Sequence, residues 1–123
     1  MISLYNLLFE NEKAYAGSSI SGTPLLTITQ SGRVYKGNTS SGTPLYTIVG
    51  NKLYSGTSVS GAPLATLIGD LIYTGNASTG YPLAKLSGRY AFAGASVSGS
   101  PLITVPTRQV SALFVGAYHT LRG

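Results

Sequence analysis

Apolar and polar positions along this chain return in blocks with a 19-residue period. Five Pro-Leu pairs mark the period: Pro24-Leu25, Pro44-Leu45, Pro63-Leu64, Pro82-Leu83 and Pro101-Leu102, at steps of 20, 19, 19 and 19. An aromatic-x-Gly triplet keeps the same step, with Tyr15, Tyr35, Tyr54, Tyr73 and Phe92 as its aromatics. Within a unit the pattern reads apolar-Tyr-x-Gly, a polar loop, then Pro-Leu-x-Thr-apolar. Both apolar stretches are short, rich in β-branched and aromatic residues, and bounded by Gly or Pro. They are read as strands, because neither is long enough for a helix. A fixed short period means one supersecondary unit stacked on copies of itself.

The connections sharpen this reading. Strand B reaches the next strand A through Gly50-Asn51, Gly69-Asp70 or Gly88-Arg89. Two residues with Gly first suit a type II′ hairpin turn, whose first position needs φ > 0. The first such link, Gln30-Ser31-Gly32, has one extra residue, which explains the single 20-residue step. The other connection is a longer loop with Gly42, Gly61, Gly80 or Gly99 at its tip. The expected fold is therefore all-β, five tandem repeats forming a stacked β-hairpin meander. The alternative is a β-solenoid with short parallel strands, one 19-residue coil per turn. In either case Tyr15, Tyr35, Tyr54, Tyr73, Phe92 and Leu25, Leu45, Leu64, Leu83, Leu102 form structural ladders. Leu and Thr of strand B share one face and the following apolar residue takes the other. Both faces are thus apolar, so the sheet must curl or be covered.

Three segments follow from the pattern. Residues 1–13 are read as a capping segment, a degenerate half-repeat beginning near Leu4, with a short helix as the alternative. Residues 14–105 form the five-repeat array. Residues 106–123 lie outside the repeat. There Val110, Leu113, Phe114, Ala117 and Leu121 fall at helical spacing, although a strand fits the same segment. Its two expected roles are a cap or a docking segment. Leu4, Leu7, Phe9, Leu113, Phe114 and Tyr118 are the candidate docking residues.

The chemical inventory is sparse. Only 9% of the 123 residues are charged, against roughly 25% in an average domain. Such a surface suits contact with a partner or with further copies, or else a Ser/Thr-coated sheet. The single histidine is His119, and the acids are Glu10, Glu12 and Asp70. No catalytic cluster, metal-ligand spacing or phosphate-binding Gly-rich motif emerges, so no enzyme activity and no cofactor is expected. Asp70 occupies a turn position where the sister repeats carry Asn51 and Arg89. There is no cysteine, and no apolar run long enough for a membrane span. The N-terminal stretch lacks the basic and small-residue features of a secretory signal.

The net charge is +5, from dispersed basic residues that form no basic arm, so nucleic-acid binding is not favoured. Of the nine tyrosines, Tyr46, Tyr81 and Tyr90 break the ladder and are the candidates for glycan contact. Asn38 and Asn76 begin glycosylation sequons, which matter only in a secreted chain.

The recurring Tyr-x-Gly resembles the membrane-occupation-and-recognition-nexus type of hairpin repeat. That resemblance covers only this element; the Trp and acidic positions of that repeat are missing here and the period is shorter. It implies a linear hairpin array. The Ser-Gly-x-Pro-Leu-x-Thr-Ile segment, over residues 14–105, is similar in composition to tandem repeats of phage virion and bacterial surface proteins. The expectation is a non-enzymatic structural protein acting by assembly, such as a virion decoration, fibre or tail element. It would be a homo-oligomer or associate with other virion proteins, made in the host cytoplasm. A carbohydrate-binding or adhesive cell-surface module is the alternative, and a weak nucleic-acid binder the second alternative.

Overall fold

The computed structural model describes residues 11–106 and 109–123. Ten strands follow one another: β1 (Glu12–Ala16), β2 (Leu26–Ile28), β3 (Arg33–Lys36), β4 (Tyr46–Val49) and β5 (Lys52–Ser55). β6 (Ala65–Ile68), β7 (Leu71–Thr74), β8 (Ala84–Ser87), β9 (Tyr90–Ala93) and β10 (Ile103–Thr104) complete the set. Among the described residues one helix, α1 (Val110–Arg122), comes last. Each strand pairs antiparallel with its sequence neighbours, and β1 pairs with β10, which closes a barrel. The all-β expectation holds. The architecture differs from both an open hairpin stack and a parallel solenoid, because the array has no free edge.

Local chemistry explains the unit. At Gly50-Asn51 the flanking Val49 and Lys52 are paired, so the link holds two residues. Gly50 has φ of 62°, and no described non-Gly residue has positive φ. Positive φ at the first turn position alone is the type II′ signature. The first link closes differently. Gly32 N–H donates to Thr29 O at 2.9 Å and Gly32 has φ of 88°. This is a three-residue connection ending in a left-handed glycine. It absorbs the extra residue.

The two repeat motifs meet across adjacent units. Gly37 N–H donates to Leu25 O at 2.8 Å, while the Thr27 hydroxyl donates to Gly37 O at 2.7 Å. The same staple joins Gly56 to Leu45 and Thr47, and Gly75 to Leu64 and Thr66. Tyr-x-Gly and Pro-Leu-x-Thr are therefore two halves of one inter-repeat clamp. The last copy joins Gly17 to Leu102 and Thr104, so ring closure reuses the contact between neighbours. Lys85 stands where the fourth copy would have Thr, and there only the backbone half, Gly94 to Leu83, is formed.

Strand alternation sorts the side chains. Ala14, Val34, Leu53, Ile72 and Ala91 point inward, as do Leu26, Tyr46, Ala65, Ala84 and Ile103. A ten-stranded ring is wider than the roughly eight strands whose lumen side chains alone can fill. The extra space holds α1. Six consecutive residues of α1, from Ala112 through Ala117, are buried, which only a helix enclosed on every side achieves. It packs against β1, β2, β8, β9 and β10. Ala14, Ala84 and Ala91 on those strands leave room for it, and Gly116 lets Ile103 approach. Ala112 to Ala117 thus form the inner core of the barrel, and they cover the lumen-facing apolar side chains. α1 enters at the end carrying the tight turns and finishes at the end carrying the long loops.

Candidate functional site at the loop end and outer wall

At the loop end, Tyr46 enters the lumen because it alternates with the outward Thr47 on β4. Its ring meets Tyr118 edge-on, with centroids 5.9 Å apart. Its hydroxyl lies 2.8 Å from His119 Nδ1. Burial holds the His119 pKa below the ordinary imidazole value, and the Lys36 charge adds to that. Burial raises the Tyr46 pKa, with Tyr118 contributing. Both groups are therefore neutral near pH 7, and the imidazole tautomer sets which of the two donates. Among the described residues no carboxylate hydrogen-bonds to the pair. The pair fastens the C-terminal end of α1 to β4.

The described acids are similarly engaged. Glu12 Oε1 accepts the Ala112 N–H at 3.1 Å. It serves the first turn of α1, whose N-cap residue Gln109 makes no side-chain cap bond. Burial raises the Glu12 pKa, and the Ala112 bond partly offsets this. Asp70 faces Lys85 at 3.9 Å on the surface. Among the described residues no group of three His, Cys, Asp or Glu side chains could hold a metal ion. A cavity of about 60 Å³ lies at the turn end beside Asp70, Gly88 and Leu113. That is far below the roughly 300 Å³ of a small-molecule site.

The exposed surface carries more information. The long loops present Ile20, Val59, Val97 and Tyr81 to solvent, with Tyr81 82% exposed. Ile20, Val59 and Val97 hold the same position in the first, third and fifth loops, where the second and fourth have Ser40 and Ser78. All five loops leave the same end of the barrel, which concentrates apolar tips there.

The ladder aromatics face the outer wall, where Tyr15, Tyr35 and Tyr54 are partly open while Tyr73 and Phe92 are buried. The five ladder leucines pack partly buried against the core. Gly50, Asn51, Gly69, Asp70, Gly88 and Arg89 occupy the tight turns. Two candidate assignments change. Leu113 and Phe114 are each 1% exposed inside the lumen, so they dock within this chain and present nothing outward. Tyr118 is likewise held against Tyr46. Tyr46 itself is a lumen residue and cannot meet a glycan at the outer surface. Tyr90 lies beside Phe92 with Arg89 stacked over it, and Tyr81 alone of the three stands free. Leu4, Leu7 and Phe9 lie outside the described residues. The loop-tip residues Ile20, Val59 and Val97 were missed, although apolar residues in otherwise polar loops were the available signal.

The pattern of the family described as 6-fold beta flower protein matches residues 14–112. The chain belongs to that family. In this beta flower protein the match spans all ten strands bar the first residues of β1, and runs into the start of α1. Here the flower is closed by five strand pairs around one helix. No curated protein and no solved structure matched the chain. No helix among the described residues is long and apolar enough to cross a membrane.

Proposed function

We propose that this beta flower protein is a non-enzymatic structural component that works by assembly through its loop end. The observation that carries this is the concentration of exposed Ile20, Val59, Val97 and Tyr81 at one end of a closed barrel. Closure satisfies the strand edges, and α1 fills the lumen. Among the described residues the loop tips carry four of the seven exposed large apolar side chains, and Val49, Ile68 and Val110 lie away from them. The sparse charge supports the same reading, because burying such a surface desolvates few ions. A virion decoration, fibre or tail element is the form of assembly that the repeat composition favours.

Light scattering across micromolar concentrations tests it. The chain is expected to form a defined oligomer that dissociates in the Val59→Ser, Val97→Ser, Tyr81→Ser variant. A native chain that stays monomeric throughout overturns self-assembly.

A further inference from the structure

The outer wall of β1 to β6 carries a repeated arrangement that the assembly reading leaves unused. Lys13, Arg33 and Lys52 occupy the same outward position on β1, β3 and β5. Across the ladder each faces a buried threonine: Thr27, Thr47 and Thr66. Lys13 Nζ donates to Thr27 Oγ1 at 3.2 Å and to Asn38 Oδ1 at 2.7 Å. Lys52 Nζ repeats this with Thr66 Oγ1 at 3.4 Å and Asn76 Oδ1 at 2.6 Å. Both ammonium groups are fixed by neutral acceptors, so their charge is positioned without being neutralised. An ammonium has three donors, and one remains in each.

The aromatics follow the cations. Tyr15, Tyr35 and Tyr54, two residues on from Lys13, Arg33 and Lys52 and on the same face, are partly open to solvent. Beyond β6 the cation is absent from this position: Leu71 and Tyr90 take its place on β7 and β9. Lys85 replaces the threonine on β8 and pairs with Asp70, Thr104 keeps it on β10, and Tyr73 and Phe92 are buried. Of the two described acids, Glu12 is turned to the helix and Asp70 lies beyond this arc.

We infer that the β1–β6 wall binds an acidic polysaccharide, each Lys or Arg taking one carboxylate or sulfate and each tyrosine stacking on a sugar ring. Alternate strands lie roughly 10 Å apart, a step suited to one charge per disaccharide. A nucleic-acid strand, by contrast, offers a phosphate about every 3.4 Å in a duplex. Hydroxyl-rich sugars also suit the Thr beside each cation and the Asn beside Lys13 and Lys52. This site is on the wall and the assembly surface is at the loop tips, so either can fail alone.

The test is titration of the full chain at low salt with hyaluronate oligosaccharides, neutral dextran and oligothymidylate, followed by tyrosine fluorescence and calorimetry. Hyaluronate is expected to bind, to weaken with salt, and to outcompete the other two. The Lys13→Gln, Arg33→Gln, Lys52→Gln variant should bind about a hundredfold more weakly, at roughly fivefold per surface cation. Lys85→Gln should bind like the native chain. Should the triple variant unfold, Lys13→Gln alone should still show the single-cation loss. Absence of hyaluronate binding, tighter binding of oligothymidylate, or equal losses in the Lys85 and wall variants would each overturn the inference.

Discussion

Replacing Phe114 by alanine tests whether α1 is the core of the barrel. Phe114 is 1% exposed and sits in the middle of the six buried helix residues. Removing its ring leaves a cavity that the closed wall cannot collapse to fill, because each strand is held by partners on both sides. Truncations of this kind cost about 3–5 kcal/mol. For a chain of 123 residues the whole stability is on the order of 6–18 kcal/mol. The variant should therefore lose a large share of it, and melt some 10–20 °C lower. Val110, at 41% exposure on the same helix, is the control, and Val110→Ala should change stability by under about 0.5 kcal/mol. Equilibrium denaturation followed by circular dichroism reads both. A Phe114→Ala loss below about 1 kcal/mol, or equal losses at the two positions, would refute a lumen-filling helix.

Further outcomes follow from the turns, the clamps and the lumen mouth. Gly32→Ala places a Cβ against Ile48 O while holding φ at 88°, whereas Gly42→Ala meets open space at φ of 92°. Both should lose about 1 kcal/mol to backbone strain, with a clearly larger loss at Gly32 in urea titration. Lys85→Thr restores the missing hydroxyl clamp to Gly94, and a gain of about 0.5–1 kcal/mol is expected; a loss would contradict the clamp. Thr104→Val removes the ring-closing hydroxyl bond and should cost about 1–2 kcal/mol. His119 is a base whose folded pKa lies below its usual 6.5. The unfolded chain therefore takes up the proton first. Stability is full above 6.5 and declines as the pH falls through the folded value. Glu12, with its raised pKa, acts in the opposite sense at the acid end. The difference in urea midpoint between native and His119→Asn chains from pH 8 to 5 isolates the histidine, and an unchanged difference would contradict its lowered pKa.

What could be read in advance was local. Gly50-Asn51 and its sister turns announce themselves through positive φ, and the helical spacing from Val110 to Leu121 is visible in the residues. Closure was not, because it depends on Tyr15 meeting Thr104, a long-range pairing with no local signature. The two apolar faces were legible, yet they suggested an external partner, since nothing near Phe114 indicates that its helix lies inside the array. The small residues Ala14, Ala84 and Ala91 were the overlooked clue: they thin the wall where the helix runs. Tyr46 was misread for the same reason, since lumen and exterior are indistinguishable until the ring is closed.

The enclosed helix also has a bearing on how such a protein can change over time. An open solenoid gains or loses units one at a time, since each contacts only its neighbours. A closed ring cannot, because its diameter grows with strand number. A duplicated repeat would leave a gap around α1, and a deleted one would crush it. The helix therefore acts as a gauge on the gene: unit number and the bulk of the C-terminal segment must shift in concert, or not at all.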